Sequence, residues 1–468
     1  MSSNESASPK HLSDDIAPSE KKGVYIRTYG CQMNEYDSQK LYKILEAEYR
    51  PVESAEAADL VLINTCSVRD KPEQKLYSLL GRMNELKETK PEMMIGVCGC
   101  VAQQEGQQIL KRSKSVDFVF GTHNLSLVPS LIQLRKKGAP PQAAVDYRED
   151  WEELPLGFAE LDPSKNAQKH HVTAFVSISR GCNKSCTYCI VPTTRGPEVS
   201  RSLDEILREV RIAVHRGSKE IVLLGQTVNS YGLDLTPRLS FVSLLEKVAA
   251  IDGVERIRFT SPHPQEIRQD FIDFVVSNPK VCRHVHMPLQ SGSDAILKAM
   301  NRNYRRSKYL GIIDALRAKV PDIAITTDII VGFPGETEKD FQDTLEIMER
   351  VQFDNIYSFA FSVRPGTAAA LMTETLTQEE KLKRLQILQA RQDEILNARM
   401  EAWIGKQVEV LVDAVNPSNP SLLQGRTSQN YFFNFTDEVE GAKPGDTLRA
   451  AVTGKGRLTL LGCAVLTE

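Results

Sequence analysis

Nine cysteines stand in the chain, and two groups of three are spaced in ways that suit metal binding. One group lies on a single short stretch, RGCNKSCTYCIVP (180–192), as Cys182, Cys186 and Cys189. Thiolates this close together can wrap one compact inorganic cluster. They would ligate three irons of a [4Fe–4S] cube and leave the fourth iron open for chemistry. A structural zinc site fits less well, because zinc takes four closed ligands, commonly from paired CxxC motifs.

The second group is dispersed. Cys31 lies in YGCQMN, Cys66 in INTCSVR and Cys100 in CGCVAQ. Each follows a short β-type run: VYIRTYG (24–30), DLVLINT (59–65) and MMIGVCG (93–99). Parallel strands bring their carboxyl ends to one sheet edge, so the three thiols are expected to converge there. Such a trio suits a second iron–sulfur cluster. A single buried thiol is an ordinary core residue; three at matching positions favour ligation. Cys98 lies two residues from Cys100 and would share its direction on an extended strand. Cys100 is the favoured third ligand because it follows its strand, as Cys31 and Cys66 do. Cys282 and Cys463 read as core thiols.

The elements that must position these groups form an α/β multidomain pattern. Residues 1–21 read as a disordered tail. Residues 22–140 alternate strand and helix signals, with amphipathic stretches at 35–49 and 72–89, as in a parallel Rossmann/flavodoxin-like domain. The Pro- and acid-rich segment 141–168 reads as a linker.

Over 169–400 the alternation resumes. The expected strands are HVTAFVSIS (171–179), EIVLLG (220–225), RIRFT (256–260), HVHMPL (284–289), IAITTDIIVG (323–332) and NIYSFAF (355–361). With helical patterns between them, such as 203–215 and 338–350, they make a full or partial (β/α) barrel. A charged helical stretch at 377–404 leads into residues 402–467. There QVEVLVDAV, YFFNF, TLRAAVTG and RLTLLGCAV alternate between turn residues, as in a small all-β barrel or sandwich.

Several loops after the barrel strands offer polar groups. LLGQTVNSYG brings the amides of Gln226 and Asn229, and PLQSGS brings Gln290, Ser291 and Ser293. DIIVGFPGE places Gly332 and Gly335 after the fifth strand. Basic residues cluster in KAMNRNYRRSKY (Lys298, Arg302, Arg305, Arg306, Lys308). The C-terminal region adds Lys406, Arg426, Lys455 and Arg457 near Tyr431, Phe432 and Phe433. Basic and aromatic groups together suit RNA backbone contacts and base stacking. His170 and His171 read as linker residues.

The formal charge of -3 and pI near 6.3 exclude a strongly basic protein, but not a local RNA-binding surface. No apolar run reaches the roughly 20 residues of a membrane helix. The N-terminus lacks the apolar core of a signal peptide, and its Glu5, Asp14, Asp15 and Glu20 argue against an organelle presequence. A cytoplasmic protein with reduced thiols and no membrane association is expected. Neither a Ser–His–Asp constellation nor a Walker-type loop stands out.

Taken together, YGCQMN, NTCSVR, GCVAQ, RGCNKSCTYCIVPTTRGPEVSR, LLGQTVNSYG, MPLQSGSDAILKAMNRNY and DIIVGFPGET resemble, in order, the methylthiotransferases of the radical S-adenosylmethionine (SAM) superfamily. The resemblance covers about residues 22 to 467. It implies an N-terminal cluster domain, a radical SAM partial barrel and a C-terminal TRAM barrel. It also implies two [4Fe–4S] clusters, one on Cys31, Cys66 and Cys100 and one on the catalytic Cys182, Cys186 and Cys189. SAM would be bound at the second cluster, with Tyr188, Gln226, Asn229, Gln290 and Ser291 nearby.

The NTCSVR stretch resembles members that add a methylthio group to C2 of N6-isopentenyladenosine at tRNA position 37. On that reading one SAM methylates sulfur at the N-terminal cluster, and a second yields the 5′-deoxyadenosyl radical that attacks C2. An external electron donor and a sulfur donor are required. Rival expectations are threonylcarbamoyl-adenosine or a ribosomal-protein aspartate as target, or a non-catalytic, cluster-containing RNA-binding sensor.

Overall fold

The run LVLINT is apolar up to Asn64, and the strand it forms is buried along its whole length. That is the mark of a central parallel strand covered on both faces. In the computed structural model it is β3 (Leu60–Thr65) of a six-stranded sheet. The other strands are β1 (Lys22–Tyr29), β2 (Tyr49–Pro51), β4 (Met94–Gly99), β5 (Phe118–Phe120) and β6 (Gln142–Ala144). The order is β2-β1-β3-β4-β5-β6 and every pairing is parallel. The structure describes residues 21–67, 70–147, 172–437 and 441–465. They divide into two compact units, Met1–Pro155 and Leu156–Glu468. His170, His171 and most of the expected tail and linker lie outside the described residues.

Two expectations for the first unit need correction. The helix expected at 35–49 spans Gln32–Leu45, and Tyr49 begins edge strand β2. Tyr49 is buried, so it prolonged the apolar pattern, while Pro51 is tolerated only at a sheet edge. Residues 142–144, placed in the linker by composition, form β6 and pair with β5. Three half-buried residues carry no periodic signal. The sheet is sandwiched by helices. Val61, Ile63, Ile95 and Val97 pack with Leu76 and Leu80 on one face; Leu60, Leu62 and Phe118 pack with Leu41 and Leu45 on the other.

In the second unit all six expected strands are present. They are β7 (Thr173–Ser177), β10 (Glu220–Leu224), β11 (Arg256–Phe259), β12 (His284–His286), β13 (Ala324–Val331) and β14 (Asn355–Ala360). A two-residue pair, β8 (Ser179–Arg180) with β9 (Val199–Ser200), brackets the cysteine loop. The sheets β7-β10-β11 and β12-β13-β14 are parallel and meet at the bridge Thr260–His286. No described residues of β7 and β14 pair, so the barrel is partial and open. The helix Leu203–His215 matches its expected bounds and the helix Glu338–Val351 runs one residue further. These and the other crossover helices bury the apolar outer face of the strands.

The long helix Gln378–Glu401 starts at a capping box of Thr377 and Glu380. It leads to a closed five-stranded barrel, the expected TRAM domain, of β15 (Gln407–Val415), β16 (Leu423–Thr427), β17 (Phe432–Thr436), β18 (Thr447–Lys455) and β19 (Thr459–Ala464). Its interior is filled by Val410, Val412, Phe433, Phe435 and Leu460. Strand β16 escaped the sequence reading because LQGRT is mostly polar.

This small barrel stops the amino-terminal end of the open one. Arg256 donates to the Arg426 carbonyl at 2.7 Å, and Arg258 to the Thr427 and Ser428 carbonyls at 3.3 Å. Gln429 donates to Asp322 at 2.8 Å and Tyr431 to Asp354 at 2.5 Å. No helix among the described residues is long and apolar enough to cross a membrane.

Candidate cluster sites

In the first unit the loops after β1, β3 and β4 bring three thiols together. Cys31 caps the helix Gln32–Leu45, Cys66 follows β3, and Cys100 opens the helix Cys100–Glu105. Cys66 shares hydrogen bonds with both Cys100 and Cys31. Those contacts, together with burial, push its thiol far above the ordinary value. Cys66 and Cys100 are 2% and 3% exposed, while Cys31 is open to solvent. Cys98 does not join them: it packs among Val24, Leu62, Phe118 and Phe120 in the core, and burial raises its thiol too.

The convergence depends on close backbone approach. A Cβ on Gly30 would lie 2.7 Å from the Cys66 Cβ, and one on Gly99 would overlap the Thr65 carbonyl and the Asn64 side chain. Gly99 also has φ +91°, a conformation other residues avoid. Two buried amides then tie the loops. Asn34 donates to the Asn64 Oδ1 at 2.9 Å, and Asn64 donates back to the Asn34 carbonyl at 2.8 Å. The Cys31 thiol donates to the Asn34 Oδ1 at 3.3 Å.

In the second unit the Cys182–Cys189 loop lies beyond β7, at the carboxyl end of the open barrel. Cys182 is 9% exposed; its sulfur accepts from the Lys184 N–H at 3.4 Å and lies 3.5 Å from the Thr227 Oγ1. Burial pushes the Cys182 thiol up, with the negative charge of Cys186 adding to the shift. Burial also pushes Cys189 up to about 12, and Cys186 and Cys182 contribute. The three thiols thus sense one another. The setting of Cys182 and Cys189 disfavours uncompensated thiolates, which is the condition that bound metal reverses.

Among the described residues, no group of three or more His, Cys, Asp and Glu side chains is arranged for a single metal ion. A cube of iron and sulfide is larger and spreads its thiolates over its corners. The donor chemistry at both sites, three cysteines each, fits such a cube.

The expected SAM-side residues divide. The Gln226 Oε1 is buried without a partner, the state of a group awaiting a donor. Asn229 is committed to the fold, its amide both donating to and accepting from the His263 backbone at 3.0 and 2.8 Å. Gln290 adopts φ +74° and bridges to β13 through its backbone. Ser291 accepts from the Ser293 N–H at 3.2 Å. Tyr188 packs against the cluster formed by Ile296, Met300, Phe333 and Phe361.

Of the basic and aromatic residues expected at RNA, Lys298, Arg305, Lys308 and Arg457 are exposed. Tyr431 and Phe433 are core residues, and only Phe432, 46% exposed, faces outward. Arg426 is held by Asp413 and Glu220 at 3.2 and 3.4 Å. Arg302 is buried beneath the cysteine loop. Cys282 is buried, but 3.8 Å from the Glu220 carboxylate, and Cys463 is half-exposed on the outside of β19.

Sequence reading passed over three further groups. Glu198, in RGPEVSR, has a buried Oε1 without a partner, and burial pushes its carboxyl up to about 7. His263 is held neutral, pushed down to about 2 by burial and then by Arg302, Lys184 and Lys308. His286 lies inside the barrel, with Nε2 3.4 Å from Asp328 and Nδ1 3.0 Å from the Thr326 Oγ1. The two-residue spacing of HVH, which sends both imidazoles to one face of β12, was the available signal.

Comparison with known proteins agrees with this architecture. A family model described as uncharacterized protein family UPF0004 matches residues 23–121, and that of the Radical SAM superfamily matches residues 176–348. A tRNA-2-methylthio-N(6)-dimethylallyladenosine synthase of Geobacter metallireducens is 46% identical over 416 residues, covering 89% of this chain and 92% of its own. One of that name from Geobacter sulfurreducens is 43% identical, covering 95% of this chain and 97% of its own. Among solved structures, the radical SAM methyltransferase TsrM of Kitasatospora setae, with cobalamin and a [4Fe–4S] cluster bound, aligns with a TM-score of 0.54 at 12% identity. It covers 75% of this chain and 74% of its own, a likeness of fold.

Proposed function

Since the chain belongs to the family of tRNA-2-methylthio-N(6)-dimethylallyladenosine synthases, we propose that its two cysteine trios hold two [4Fe–4S] clusters that divide the work of methylthiolation. The protein is a radical SAM tRNA methylthiotransferase that uses an iron–sulfur cluster and SAM. Its reaction adds a methylthio group to C2 of the isopentenylated adenosine in tRNA. We assign Cys182, Cys186 and Cys189 to the cluster that engages SAM, and Cys31, Cys66 and Cys100 to the one that handles sulfur. The observation that carries the second assignment is the Cys66 thiol within hydrogen-bonding contact of both Cys31 and Cys100, with Cys98 packed into the core.

Held by Cys182, Cys186 and Cys189, the cluster would supply with SAM the radical chemistry needed to take hydrogen from a position that acid–base catalysis cannot activate. The chain's own residues prepare the chamber. The unpartnered Gln226 carbonyl accepts from a donor on SAM or the base. Asn229 fixes the loop carrying His263, and the neutral His263 ring accepts from the Gln265 N–H. The stopped floor of the barrel excludes water from below. Because the Cys182–Cys189 loop lies at the carboxyl end of the open barrel, the target adenine must leave its stack to reach that chamber, which is cheapest in a single-stranded loop. Exposed Lys298, Arg305 and Lys308, with Phe432 of the small barrel, offer the RNA backbone charge and a stacking surface.

The same reading gives a cluster domain ending near residue 144, a radical SAM domain over 169–400 and a TRAM domain over 402–467, working in the cytoplasm. Sulfur and electrons come from separate donors. The test is anaerobic reconstitution with an iron and sulfide count, followed by assay on isopentenylated tRNA. Two cubes per chain and 2-methylthio product are expected. One cube per chain, or modification only of threonylcarbamoyl-adenosine, would defeat the corresponding part.

A further inference from the structure

A buried cation beside the radical-site cysteines has no part in the reading above. The Arg302 side chain belongs to the turn after the helix Asp294–Ala299 and is 8% exposed. Its Nη1 lies 3.6 Å from the Cys186 sulfur, within hydrogen-bonding reach of sulfur. Nη2 donates to the Pro288 carbonyl at 2.9 Å and Nε to the Tyr304 hydroxyl at 3.1 Å. Among the described residues no carboxylate forms an ion pair with it. A lone buried guanidinium is costly unless an anion answers it. Of these partners the cysteine sulfur is the one that carries negative charge as a cluster ligand; the Tyr304 hydroxyl donates to the Leu289 carbonyl, and burial keeps it protonated.

The geometry is held firmly. Thr187 donates its N–H to the Met300 carbonyl at 3.1 Å and its hydroxyl to the Ala299 carbonyl at 3.0 Å. Asn301 donates to the Ser185 carbonyl at 2.8 Å. The residues on both sides of Cys186 are therefore strapped to the turn that carries Arg302. Tyr304 in turn is anchored by its hydroxyl to the Leu289 carbonyl at 2.8 Å. The planar fork serves sulfur, carbonyl and phenol at once, which a lysine ammonium on its flexible stem does not reproduce.

We propose that Arg302 sets the reduction potential of the cluster held by Cys182, Cys186 and Cys189, through its charge and its hydrogen bond to the Cys186 sulfur. The inference rests on the assignment of those cysteines as cluster ligands. Reduction adds one electron, delivered by an external one-electron donor, and makes the cluster one charge more negative. A fixed cation at one of its sulfurs stabilises that reduced state more than the oxidised one, so the potential rises. Arg302 is then a tuning residue that eases reduction of the cluster by its donor.

The test is a potentiometric titration with dithionite, followed by electron paramagnetic resonance, on full-length protein loaded anaerobically. A Cys66→Ala background leaves a single cluster signal. Arg302→Gln is expected to move the midpoint to more negative potential, and Arg302→Lys to restore part of the shift. An unshifted midpoint in Arg302→Gln with a full iron count overturns the proposal. Should Arg302→Gln not retain its cluster, Tyr304→Phe decides. It frees the guanidinium from its phenol partner and is expected to give a smaller negative shift, and no shift overturns the proposal. Absence of any cluster in the Cys66→Ala protein itself would instead overturn the ligand assignment.

Discussion

Glu220 and Arg258 face each other at 3.0 Å across β10 and β11, both side chains almost wholly closed off from water. Burial alone would push the Glu220 carboxyl up. The charges of Arg258 and Arg426 outweigh it and hold the group at about 2. Replacing Glu220 with Gln strands those arginines and is expected to cost about 3–5 kcal/mol, measured by denaturant unfolding. The pH dependence has a definite sign. A carboxyl depressed in the folded state contributes stability that is present above its ordinary value of 4.5 and lost as pH falls toward 2. The wild-type unfolding free energy is expected to decline across that window, and that of Glu220→Gln to decline less.

Cys98 and Cys100 are two residues apart, yet the fold gives them different neighbours. Cys100→Ala is expected to remove one cluster's worth of iron and sulfide. Cys98→Ala is expected to keep both and to lose about 1 kcal/mol of packing. Metal analysis after anaerobic reconstitution compares them; the reverse pattern would transfer the ligand role to Cys98.

The glycine before Cys100 should tolerate no side chain. Gly99→Ala combines left-handed backbone strain of about 1–2 kcal/mol with overpacking of about 1–3 kcal/mol against Thr65 and Asn64. A clear fall in the melting temperature is expected, together with a lowered iron count. Asn64→Ala removes the amide that joins the Asn34 and Ser38 side. It is expected to lower the iron count with a smaller loss of stability, about 1–3 kcal/mol.

For tRNA, Phe432 is the outward aromatic of the small barrel. Phe432→Ala is expected to weaken tRNA binding by about 1–3 kcal/mol if a base stacks there, with the melting temperature unchanged. Phe433→Ala, in the barrel core, is expected to unfold the domain. Filter binding and thermal melts on both variants separate the two roles.

Much of this was legible from spacing alone. The six strands of the open barrel were visible because buried parallel strands are near-continuous apolar runs, and the cysteine trio because each thiol follows such a run. What escaped was set by packing across long sequence distances. β6 is three residues long and exists only because β5 is there to pair with it. Tyr431 and Phe433 looked like a stacking surface, but alternate residues of a closed barrel point inward, and only Phe432 does not. Arg302 sat in a basic run and read as a phosphate contact. Its burial follows from a turn that brings it back under Cys186, which no local pattern announces.

The small barrel seated on the starts of β10 and β11 closes the catalytic domain from below, leaving the carboxyl rim and the seam between β7 and β14 as its openings. SAM and the flipped nucleoside therefore have no way in through the floor. Where both use the rim, the one that enters second covers the first, and the order of loading and of departure becomes a property of the enzyme. A bound RNA would hold spent cofactor in place until the modified loop lets go.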